Sequence, residues 1–129
     1  MSYQQLKWIE GEFVVHRFSA DSPIPPTLLA QPFVTISRTA DELSIVAPAT
    51  IDINSPQSDR HWVMFMFVGV LDFSLTGILA GIAQPLAAAN VSIFAISTFD
   101  TDYVMVKASE KAMAEAALTA VGYQFESSV

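Results

Sequence analysis

The sequence predicts an α+β protein whose second half is a ferredoxin-like unit of order β-α-β-β-α-β, and three observations predict it. From His61 the run HWVMFMFVGV is apolar and β-branched enough for a buried strand, and after it apolar residues fall at Leu75, Ile78, Leu79, Ile82 and Leu86, one stripe of a helix. VSIFAIS and YVMVK flank a turn at Thr98 to Asp102 and read as a hairpin. A last helical stretch then runs from Ser109 to Gly122, and YQF returns as a strand.

The elements follow in order. LKWIE and EFVVHRF are predicted to form a hairpin around Glu10-Gly11. ADSPIPPTLLAQP carries Pro23, Pro25, Pro26 and Pro32, which leave room for about two helical turns at most. FVTIS and ELSIV are two further strands joined by Arg38 to Asp41, and PATIDINSPQSDR reads as a connector. In the second half, Pro85 should kink its helix because it donates no bond to the carbonyl of Gly81, and a glycine there relieves the crowding. Asn90 ends that helix; Ser109 can cap the next, and Gly122 closes it in a left-handed conformation.

ISTFDTDYVMV at 96–106 aligns without a gap on ISRTADELSIV at 36–46, 60 positions earlier. Together with the strand order, this suggests two related units: a degenerate one at 1–60 and a complete one at 61–129.

Composition narrows the function. A hydrophobic content of 52% supplies ample core, and the uncharged run from Phe73 to Phe99 is too polar and too mixed in period for a membrane span. The net charge of −7, with six scattered Lys and Arg, repels phosphate backbones and argues against nucleic acid. No secretory signal opens the chain and it has no Cys, so a cytoplasmic location is expected.

No catalytic constellation stands out. His16 and His61 lie one in each half without metal-ligand spacing, and each reads as a strand histidine rather than a zinc ligand. There is no Gly-rich phosphate loop and no nucleophile elbow. No metal or cofactor is expected, and no enzymatic activity. One helix face, Ala80, Gly81, Ala83, Gln84, Ala87 and Ala88, carries no charge, which fits either an oligomer contact or a bland exposed surface.

The better candidate is LDFSLTGIL. A loop entering a helix aims first-turn N–H groups at one point and favours an anion there, while Asp72 can meet an ammonium and Ser74 and Thr76 offer hydroxyls. The alternative is structural: Ser74 as a helix N-cap and Asp72 as a turn residue. Asp100 and Asp102, with Thr98 and Thr101, likewise either orient a cationic ligand group or serve their turn.

LDFSLTGIL, PLAAANVSIFAIS and STFDTDYVMV resemble the ACT domain, and more narrowly the small bacterial tandem-ACT proteins, the ACT pairs of aspartate kinases and the animal arginine sensors. The resemblance implies an ACT unit in the C-terminal half packed with an eroded ACT-like N-terminal unit, and a non-catalytic regulator that binds an amino acid. Its loop residues would be Asp72, Phe73, Ser74, Leu75, Thr76 and Gly77, facing Ile96, Ser97 and Thr98, with Ser37 and Arg38 as counterparts in the eroded unit. Many ACT domains have Pro-Gly where this chain has Thr76-Gly77. With nearly every residue used by the two units, the output would pass to a homodimer or other homo-oligomer, or to a separate effector protein. A protein-interaction module that keeps the fold without a ligand is the alternative.

Overall fold

The computed structural model of the chain describes residues 5–69 and 77–126. They form seven strands and two α-helices: β1 (Gln5–Phe18), β2 (Thr35–Arg38), β3 (Leu43–Pro48), β4 (Gln57–Phe67), α1 (Ile78–Ala88), β5 (Phe94–Ser97), β6 (Asp102–Lys107), α2 (Lys111–Ala120) and β7 (Gln124–Phe125). The chain divides into two compact units: residues 11–62, and residues 1–10 with 63–129. The long strands β1 and β4 each give one end to each unit.

The larger unit has the predicted order, β4-α1-β5-β6-α2-β7, with an addition. The start of β1 lies between β4 and β7, so β7 pairs in parallel with β1, Gln5 opposite Gln124 and Leu6 opposite Phe125. The core is built by alternation along the strands: Val63, Phe65 and Phe67 of β4 and Val104 and Val106 of β6 meet Ile82 and Leu86 of α1 and Ala114 and Leu118 of α2. Each fully buried Phe here is worth roughly 1.5–3 kcal/mol of transfer free energy.

Both helices end in the same device. Asn90 takes φ 63°, and the N–H groups of Asn90 and Val91 bond to the carbonyls of Ala87 (3.0 Å) and Leu86 (2.9 Å). Gly122, at φ 105°, does the same for α2, with Gly122 and Tyr123 donating to Thr119 and Leu118, each at 3.1 Å. These are Schellman caps, which require a left-handed residue and select Gly or Asn. The helix starts differ from expectation. α2 has Glu110 as its N-cap after a 3-10 turn at Ala108–Glu110, so Ser109 sits inside that turn instead of capping. α1 has Gly77 as its N-cap, not Ser74. At Gly81 a Cβ would lie 2.6 Å from the Tyr123 hydroxyl, so the glycine lets that side chain approach α1.

In the smaller unit, the hairpin predicted around Glu10-Gly11 is instead one continuous strand, β1. Gly11 does take a positive φ of 92°, but a single such residue inside a ladder bends a strand without reversing it. β4 likewise begins at Gln57, within what reads in sequence as a connector. The proline-rich segment yields only a 3-10 turn, Pro26–Ala30, whose Leu28 is fully buried on Leu43, Ile45 and Ala47. β1 and β3 pair antiparallel with His16 opposite Ile45, and β2 pairs with β3.

Candidate functional site

The two β-hairpins match, in a register one residue away from the gapless sequence alignment. Arg38 pairs with Leu43 as Ser97 pairs with Asp102, a spacing of 59 along the chain instead of 60. The turn chemistry sets this register. Thr39 N–H donates to the Glu42 carbonyl at 2.9 Å, and Thr98 N–H donates to the Thr101 carbonyl at 2.9 Å. In both turns a Thr hydroxyl folds back on the same backbone, with Glu42 N–H to Thr39 Oγ1 at 3.1 Å and Thr101 N–H to Thr98 Oγ1 at 3.4 Å. Burial follows the same offset: Ile45, Val46 and Ala47 are buried in β3, as Val104, Met105 and Val106 are in β6. The structural counterpart of Ser97 is therefore Arg38, not Ser37, because a one-residue slip exchanges the two faces of a strand.

Of the residues singled out from sequence, Asp72, Phe73, Ser74, Leu75 and Thr76 lie outside the described residues. Gly77 stands exposed at the start of α1 with φ 77°, and no described side chain caps that helix end. Ile96 and Ser97 close β5, and Thr98 opens the turn. Ser97 Oγ donates to Asp102 Oδ1 at 2.7 Å, so these two polar groups already satisfy each other. Arg38 is committed too: its guanidinium donates to the carbonyls of Ala20 and Ser22 and pins the preceding turn. Asp41 accepts from Arg17 through its backbone carbonyl, at 3.1 Å.

Thr101, which the sequence places with Thr98 beside Asp100 and Asp102 as either a cation-orienting or an ordinary turn residue, is the most notable side chain of that turn. It is 5% exposed, and its Oγ1 is buried with no hydrogen-bond partner. Leaving a buried hydroxyl unpaired costs on the order of 1–3 kcal/mol, so such a group calls for an explanation. The only sequence signal is its place in a Thr-rich turn, which ordinary turn chemistry also explains.

His16 is a strand histidine with one bond made. Its Nδ1 lies 2.8 Å from Ser55 Oγ while its Nε2 is buried and unpaired, and its pKa is lowered, first by burial and then by the positive charge of Arg60. His61 is exposed, with Nδ1 3.3 Å from Glu12 Oε1, a surface pair worth little. Among the described residues, no three metal-ligating side chains come together. Among them, too, no helix is long and apolar enough to cross a membrane.

Strand order, two helices, their caps and the paired Thr turns define an α+β fold of the ferredoxin-like class. The ACT domain family matches residues 57–120, and that part of the chain belongs to the family. A second family, described as an N-terminal domain, matches residues 11–51. The chain is similar to a protein of Agrobacterium tumefaciens known by X-ray crystallography, with 33% identity, 95% of this chain and 91% of that chain covered, and a TM-score of 0.86. It is 36% identical over 93 residues to the mouse cytosolic arginine sensor for mTORC1 subunit 1, and spans 28% of that protein's length. The fold is also that of the regulatory subunit of aspartate kinase from Thermus thermophilus, at 16% identity, with 90% of this chain and 94% of that chain covered and a TM-score of 0.58.

Proposed function

We propose that the protein is a non-catalytic, cytoplasmic regulator that binds a free amino acid at the loop of residues 71–77 and the adjoining strand end Ile96–Thr98. ACT membership and a relative named for arginine sensing support a regulatory, ligand-binding role. The observation that carries the site is the Thr101 hydroxyl, buried without a partner on the same turn as Thr98. A ligand carboxylate or ammonium would complete its bonding. The start of α1, which no described side chain caps, favours the carboxylate of the ligand, and Asp72 its ammonium. Ser37 and Arg38 are the weaker part of the set, since the Arg38 guanidinium is already spent on backbone carbonyls.

The two matched hairpins support a tandem pair of ACT-like units descended from one, and with no catalytic group in the reading, output would pass through self-association or a partner protein. Thermal unfolding in the presence of each of the twenty amino acids tests the function. One of them should raise the midpoint, by the equivalent of about 2.7 kcal/mol at one hundred times its dissociation constant. Asp72→Ala should remove that rise while leaving the unliganded midpoint within about 1 kcal/mol of wild type; Thr101→Val should remove it while raising unliganded stability by about 1–3 kcal/mol, because the unpaired hydroxyl is gone. If no amino acid moves the midpoint, the fold serves protein interaction alone.

A further inference from the structure

We propose that a groove in the larger unit, formed by α2 with β1 and β7, is a second ligand site, separate from residues 71–77, that takes a small organic cation: an ammonium or guanidinium on a slender aliphatic chain. The groove encloses about 700 Å³, within the usual size of small-molecule sites, and is lined by Trp8, Ser109, Lys111, Glu115, Phe125 and Glu126 with two alanines. Its wall is aromatic: the Trp8 and Phe125 rings stack at 5.3 Å with 12° between planes, and Phe65 meets both edge-on from the core.

The protein marks the cation position with its own side chain. Lys111 Nζ lies 4.9 Å from the centroid of Trp8, inside cation–π range, and the Trp8 indole N–H donates to Glu115 Oε1 at 2.6 Å. One indole thus holds an ammonium over its face and a carboxylate at its N–H. Two carboxylates, Glu115 and Glu126, line the groove against one ammonium, in a chain of net charge −7, so the field there favours a further cation and repels an anion. Lys111 is an exposed, flexible side chain that loses rotamer entropy while it stays over the ring. A guest cation that takes its place releases Lys111 to water and keeps the cation–π contact. A purely structural clasp would need Trp8 and Glu115, but it gives Glu126 no part.

Proton–nitrogen NMR of the tryptophan indole signals tests this in the intact protein, with Trp62→Phe assigning the Trp8 peak. Agmatine and cadaverine, which carry no carboxylate, should shift the Trp8 peak saturably, and glutarate should not. Glu126→Gln should weaken agmatine about twofold to fivefold, the range an exposed ion pair supplies. Lys111→Met should tighten it by removing the resident competitor, and Asp72→Ala should leave it unchanged. No saturable shift with millimolar agmatine, an equal response to glutarate, or weaker binding in Lys111→Met would overturn the proposal. Because neither probe is an α-amino acid and Asp72 takes no part, failure here leaves the reading of residues 71–77 standing.

Discussion

His16 shows how a single buried group ties the chain's stability to pH. Its ring is 2% exposed and bonded at one nitrogen, and burial, reinforced by Arg60, disfavours the imidazolium. The folded pKa thus lies below the ordinary 6.5 that the unfolded chain keeps, so in mildly acidic solution the unfolded state binds the extra proton. The stability His16 lends is fully present above about 6.5 and is lost as pH falls from there through the folded pKa. Urea midpoints should drop between pH 8 and pH 5, and His16→Gln should flatten that slope. Ser55→Ala, which leaves a second ring nitrogen unpaired, should cost about 1–3 kcal/mol at neutral pH by the same measurement. The burial of His16 was legible from its place in an alternating apolar run, but its partner was not, because Ser55 lies 39 residues away in a segment that reads as a connector.

Helix ends and hairpin turns are where the elements declare themselves. Asn90 and Gly122 could be read from sequence as helix stops because few residue types tolerate the left-handed position, and both close Schellman caps. Gly122→Ala should destabilise the fold by about 1–2 kcal/mol, the cost of placing a Cβ at positive φ, while Asn90→Gly should be close to neutral; thermal or urea unfolding checks both. Helix starts were harder to read. Ser109 looks like a cap, yet a 3-10 turn moves the cap to Glu110, and no local pattern distinguishes the two. The Glu10-Gly11 pair misleads for a related reason. Glycine signals positive φ equally for a turn and for a bend within a strand, and only the partners along β1 decide between them. The repeat was visible but misregistered by one residue, since Ile-Ser recurs at a spacing of 60 while the Thr-anchored turns recur at 59.

At the scale of the whole molecule, the order of strands and helices was readable because each strand and helix carries its own period. Insertion of the start of β1 between β4 and β7 was not, because it depends on pairing across more than a hundred residues. The groove at Trp8 was hidden for the same reason: Trp8 and Glu115 are 107 residues apart. The proposed site holds a free amino acid with residues 71–77 and the Ile96–Thr98 strand end. Backbone amide NMR during titration with the amino acid that raises the unfolding midpoint tests it most directly. A ligand bound there should give saturable shifts concentrated at residues 71–78, Ile96 to Thr98 and Thr101. Shifts confined to the groove around Trp8, Lys111 and Glu126, or spread evenly with no saturation, would contradict it.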